Sequence, residues 1–166
     1  AGTLVFGVCG GYQMLGRTVS DPEQVEAAGT TEILGMGLLE MDTIFLGEKV
    51  QTQTTGVFSG ISGMLSDLNG MSYSGYEIHM GRSEEEMPAL AGADNVYGSY
   101  VHGVFDASGI SDTILKALCV RKGIDFDALE TFDVEAYKER QYDLLADAVR
   151  SGLDMEFIYR ALNREL

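Results

Sequence analysis

Cys9 is the residue with the most reactive side chain in the most suggestive setting. The apolar run Leu4-Val5-Phe6-Gly7-Val8 leads straight into it, and Gly10-Gly11-Tyr12-Gln13-Met14-Leu15 follows. A buried strand that turns sharply into a helix is a known way to present a nucleophile, and the helix N-terminus favours the anionic thiolate. Gly7, Gly10 and Gly11 supply the room such a strained turn requires. Neighbouring backbone N–H groups can hold a developing oxyanion. The competing reading is a small buried hydrophobe at a strand end. The chain has two histidines. One of them, His102 in Tyr97-Gly98-Ser99-Tyr100-Val101-His102-Gly103-Val104-Phe105, closes an expected strand, where α/β folds place functional groups. An imidazole beside a thiol takes its proton and later protonates a leaving amine. Cys9 and His102 are therefore the candidate catalytic pair, against the alternative that His102 merely caps a strand.

Other residues carry weaker signals. In Gly75-Tyr76-Glu77-Ile78-His79-Met80-Gly81, Glu77 and His79 share one face of a strand, and Tyr76 and Ile78 share the other. Tyr76, Glu77 and His79 are candidates for contact with a polar ligand or a partner domain. The alternative is a solvated face with a satisfied ion pair. Gln13, in the first turn after the nucleophile, is either a substrate contact or an ordinary residue of the helix surface. Cys119 falls on the apolar face of a helix and reads as structural. Two cysteines and two histidines without ligand spacing give no metal site, and no G-x-x-x-x-G-K-[ST] phosphate loop is present.

The elements that must position these groups follow from the hydrophobic pattern. Residues 4–8 form a buried strand and 12–17 a short helix, and 18–31 read as a loop. Alternation over 37–45 and again over 49–58 predicts two strands of an antiparallel pair. Residues 59–70, with Gly60, Gly63 and Gly70, predict a turn-rich connection. A strand spans 71–82, an acidic loop with Glu84-Glu85-Glu86 spans 83–94, and a strand over 95–105 ends near His102. Helices follow at 108–122, at 133–151 capped by Asp133, and after the cap Asp154.

The 166 residues suit a single domain over 1–166, with a sizeable core. Net charge is −15, which argues against nucleic acid and anionic membrane surfaces as partners. No apolar run is long enough to span a membrane, and the first residues lack the basic start and cleavage pattern of a signal peptide. Two cysteines in unlike contexts make no disulfide framework, so a reducing cytoplasm is the simplest setting. The chain enters the nucleophile strand within a few residues of Ala1. An open α/β sheet usually builds several strands before such an elbow. The expectation is thus the C-terminal portion of a longer protein.

Val8-Cys9-Gly10-Gly11-Tyr12-Gln13, Gly75-Tyr76-Glu77-Ile78-His79-Met80-Gly81 and Tyr100-Val101-His102-Gly103-Val104-Phe105 together resemble the class I (triad) glutamine amidotransferases, in the branch that contains cobyric acid synthase. The closing segment 142–162 is similar as well, so the resemblance covers nearly the whole chain. It implies a flavodoxin-like open sheet with flanking helices, truncated at its N-terminus. It also implies that Cys9 attacks the side-chain amide of L-glutamine through a thioester, with His102 as general base and acid, and that Gln13, Gly10 and Gly11 bind substrate. No cofactor is implied for this domain. ATP and Mg²⁺ are implied for an N-terminal synthetase domain of the same chain, where ammonia amidates corrinoid carboxylates. Triad amidotransferases commonly carry a glutamate two residues after the histidine. That position is Val104 here; this branch is similar in lacking the glutamate, and the group orienting His102 is left unnamed. An amidotransferase acting on a cell-wall precursor and a non-catalytic docking module are the alternatives.

Overall fold

The computed structural model describes residues 2–26, 28–29, 31–83, 88–107, 109–128 and 134–164. The chain forms two compact units, Ala1–Leu129 and Glu130–Leu166. Glu84-Glu85-Glu86 and the expected cap Asp133 lie outside the described residues.

The first unit carries two open sheets, so the expected α/β class holds. In one sheet, β1 (Val5–Val8) lies parallel to β7 (Val96–Ser99), and β6 (Ala91–Ala93) runs antiparallel on the far side of β7. The register pairs Val8 with Ser99. The second sheet has the order β3-β2-β4-β5, with β2 at Thr18–Ser20, β3 at Glu32–Leu34, β4 at Asp42–Val57 and β5 at Ser72–Ser83. The short helix α1 (Gly10–Leu15) follows β1 directly, and α2 (Ile110–Lys122) follows β7 after the segment that holds His102.

Besides β6, which falls within the loop expected over 83–94, three expectations change. The segment 18–31 is not all loop, because Thr18–Ser20 joins the second sheet beside β4. The two strands expected over 37–45 and 49–58 are not partners of each other. From Asp42 to Val57 the chain is one long strand, and its antiparallel partner is β5. The Gly47-Glu48-Lys49 stretch looks like a hairpin turn. It is instead a bulge, at which the register passes from Phe45 opposite Gly81 to Val50 opposite His79. The Gly47 N–H donates to a Glu23 carboxylate oxygen at 3.1 Å, which holds the bulge in place. Third, the last sheet strand before His102 stops at Ser99, so His102 lies three residues beyond it. The Ser99 hydroxyl accepts the Val101 N–H at 3.0 Å and turns the chain there.

The core gathers Phe58, Ile61, Leu65 and Leu68 from the connection between β4 and β5 with Tyr97, Val101, Val104, Ile110 and Ile114. That connection contains a 3-10 helix, Gly63–Leu68. Tyr97 ties it to β7. Its buried hydroxyl accepts the Leu65 N–H at 3.1 Å and donates toward the Ser62 carbonyl at 2.6 Å. Replacing Tyr97 with phenylalanine keeps the ring and strands these backbone groups. The expected loss is about 1–3 kcal/mol of stability, read as a lower midpoint in denaturant at unchanged slope. Cys119 is buried in α2 and free, as its apolar position suggested.

The second unit holds α3 (Val134–Gly152) and α4 (Met155–Leu162). Asp154 caps α4 as expected, accepting the Phe157 N–H at 2.9 Å. Leu144, Leu145 and Leu162 stand exposed on these helices. No helix among the described residues is long and apolar enough to cross a membrane.

Candidate active site

Cys9 sits at the junction of β1 and α1 with φ 52° and ψ −113°. This backbone conformation is rare for any residue but glycine, and it is the strained elbow the sequence suggested. Its N–H donates to the Ser99 carbonyl at 2.8 Å, and its carbonyl accepts the Gln13 N–H at 3.1 Å. Cys9 is therefore the last residue tied into the strand and the first tied into the helix. The three glycines divide the work unevenly. A Cβ on Gly7 would lie 2.6 Å from the Gly11 backbone, so the tight packing is at Gly7. Gly10 and Gly11 are exposed, and a Cβ on either would meet nothing within 4 Å. Their side of the turn is open.

β5 runs across this elbow. The Cys9 thiol donates to the Ile78 carbonyl at 3.6 Å. Two residues earlier on the same strand, Tyr76 exchanges both backbone hydrogen bonds with His102, at 2.8 and 3.1 Å. The points where β5 meets Cys9 and His102 are thus separated by about 7 Å of strand. Among the described residues no hydrogen bond joins Cys9 to His102. The two groups lie beyond the carboxyl ends of adjacent parallel strands and meet the same short stretch of β5.

The two glycines of the 75–81 motif mark where β5 crosses. A Cβ on Gly75 would run into the His102 carbonyl, and one on Gly81 would run into the Gln13 side-chain amide. Gln13 is only 6% exposed, so it is not an ordinary residue of the helix surface. The spacing of these glycines was the available signal for the crossing. In the sequence they read only as interruptions of a strand.

The alternation over 76–79 places side chains opposite to what polarity suggests. Tyr76 and Ile78 face outward, while the His79 and Glu77 side chains are 7% and 25% exposed. A solvated face is therefore excluded for Glu77 and His79, although the two side chains do meet. His79 Nε2 lies 3.2 Å from a Glu77 oxygen, and Nδ1 lies 2.7 Å from the Gly81 carbonyl. Both ring nitrogens thus have a polar partner on the protein. The His79 ring stacks on Tyr100 at 4.0 Å, and Tyr100 meets Tyr12 edge-on at 5.0 Å. Burial, and after it the neighbouring Tyr100, pushes the Tyr12 phenol well above its ordinary value. Tyr12 thus remains protonated and acts as packing beneath the elbow. Ile78 and Tyr100 were not singled out from the sequence. Ile78 acts through its backbone carbonyl, which no side-chain pattern reveals. Among the described residues no group of three or more His, Cys, Asp or Glu side chains is disposed to hold a metal ion.

Cys9 on a strained strand-to-helix turn of an open sheet, with His102 three residues beyond the adjacent parallel strand, defines a protein of the α/β class. Comparison with known proteins makes this specific: the chain belongs to the CobB/CobQ-like glutamine amidotransferase domain family, whose model matches residues 1–110. Similar curated proteins include cobyric acid synthase of Lachnoclostridium phytofermentans, 46% identical over 96% of this chain and 36% of that protein. Cobyric acid synthase of Ruminiclostridium cellulolyticum is 45% identical over 95% of this chain and 34% of that protein. The protein of the same name from Dehalococcoides mccartyi is 42% identical over 98% and 35% respectively. The chain thus spans about a third of the length of these relatives.

Proposed function

We propose that this chain is the glutamine-hydrolysing part of a cobyric acid synthase. The observation that carries the reading is the strained backbone of Cys9, whose thiol is held under the same strand that holds His102. His102 takes the thiol proton, and sulfur adds to the side-chain amide carbon of glutamine. The Gly10 N–H, next after the nucleophile, donates to the oxyanion. His102 then returns the proton to the amide nitrogen, ammonia leaves, and a γ-glutamyl thioester remains. Water, deprotonated by His102, releases glutamate and restores the thiol. Gln13, Gly10 and Gly11 line the substrate side of the elbow in this scheme.

The ammonia is passed to an ATP- and Mg²⁺-dependent synthetase domain preceding this one in the same protein, where it amidates peripheral carboxylates of a corrinoid. The names of the relatives and the third of their length matched here support that assignment. Two free cysteines, one of them the nucleophile, suit a reducing cytoplasm. The test is covalent labelling of the full-length gene product with a diazo-ketone analogue of glutamine. One equivalent is expected on Cys9, located by peptide mass spectrometry, with none on the Cys9→Ser variant. An unlabelled wild-type protein without glutaminase activity would overturn the hydrolytic scheme and leave a non-catalytic docking module.

A further inference from the structure

His102 lacks the usual means of holding a catalytic imidazole. Among the described residues no carboxylate is hydrogen-bonded to its ring. The residue two positions on is Val104, which is buried in the apolar core. Nor is the histidine fixed by a strand of its own sheet, since β7 ends at Ser99. What holds it is Tyr76 of β5. The two residues form an antiparallel bridge with both backbone hydrogen bonds made. Directly opposed residues in such a bridge project side chains to the same face. Here the Tyr76 and His102 rings lie nearly parallel, at 5° between planes and 5.0 Å between centroids.

We propose that Tyr76 is the positioning residue for His102, its ring fixing the plane of the imidazole that carries the thiol's proton. The inference rests on the reading of Cys9 and His102 as the hydrolytic pair. Two physical effects support it. A flat ring against one face of the imidazole blocks rotation about its side-chain bonds, so its nitrogens keep one direction. The face of a phenol ring also attracts a cation, which favours the imidazolium formed once the thiol has given up its proton. Both effects need an aromatic face, and neither needs the hydroxyl. Gly75 then has a clear purpose, because a side chain there would push the His102 backbone out of the bridge.

The experiment is steady-state glutamine hydrolysis by the full-length gene product carrying Tyr76→Phe, Tyr76→Leu or Tyr76→Ala, beside Cys9→Ser and His102→Ala. Tyr76 is 48% exposed, so its truncation leaves little cavity, and the leucine variant retains apolar bulk. The expected result is a fall in kcat of about 10- to 100-fold for the leucine and alanine variants, with KM for glutamine unchanged. The phenylalanine variant is expected within about threefold of wild type, since it keeps the face. Wild-type kcat in the leucine and alanine variants, or equal losses in phenylalanine and alanine, would overturn the role of the ring. If Cys9→Ser and His102→Ala retain hydrolysis, the underlying pair is wrong. If both are inactive while Tyr76→Ala is not, only the positioning role fails.

Discussion

Replacing Cys9 with glycine is expected to make the protein more stable and, at the same time, inactive. Cys9 holds φ 52° and ψ −113°. A side chain in such a backbone region costs of order 1–3 kcal/mol. Glycine occupies it without steric cost, though it brings a more flexible unfolded chain, worth roughly 0.5–1 kcal/mol. The Cys9 side chain is only half-buried, so its removal forfeits little packing. The net expectation is a gain of about 1 kcal/mol, seen as a higher denaturation midpoint. Cys9→Ala is the control, since alanine keeps a Cβ and therefore the strain. Both variants should lose glutamine hydrolysis by roughly 10⁴-fold or more, as removal of a nucleophile does. Equal stability of the glycine and alanine variants would mean that no strain is stored at the elbow. A strained residue that gives up stability is expected where geometry serves chemistry.

That strain was legible in the sequence in kind. An apolar strand, a cysteine and a pair of glycines announce a sharp strand-to-helix turn. The details fell elsewhere, because the glycine that permits close packing is Gly7, while Gly10 and Gly11 face open space. His102 was legible as a residue near a strand end and misplaced by three positions. The Ser99 hydroxyl turns the chain earlier than its apolar pattern suggests. The long strand β4 was split in two because Gly47 reads as a turn, whereas tertiary pairing with β5 absorbs it as a bulge. The inward Glu77 and His79 reverse the usual polarity of a surface strand. Their mutual contact, the Gly81 carbonyl and the Tyr100 ring make that burial tolerable, and the last of these is not local in sequence. What the sequence withheld altogether was which strand passes over the elbow. Pairing between distant segments leaves no periodic trace, save the two glycines six residues apart.

Those glycines give the last expected result: Gly75→Ala is far more damaging to turnover than an exchange of glycine for alanine in a strand would ordinarily be. In an open strand, alanine for glycine is stabilising by a few tenths to about 1 kcal/mol. At Gly75 the new methyl runs into the His102 carbonyl and comes within 2.6 Å of a Val101 methyl. The carbonyl is main chain and cannot turn aside. Either the bridge between Tyr76 and His102 opens, or β5 lifts and takes the Ile78 carbonyl off the Cys9 thiol. Both outcomes misplace one member of the proposed pair by an ångström or so, which can cost about 100-fold in rate. The accompanying loss of stability, roughly 1–3 kcal/mol, is that of overpacking. Gly81→Ala is the informative comparison. Its methyl meets side chains only, those of Gln13, Thr43 and Phe45, so its effect on turnover should run through Gln13 on the substrate side, as a change in KM for glutamine, and should not involve His102. Steady-state glutaminase assays on both variants, with denaturation midpoints to correct for unfolded protein, measure the difference. Equal activity of Gly75→Ala and wild type would show that β5 does not hold the imidazole in place.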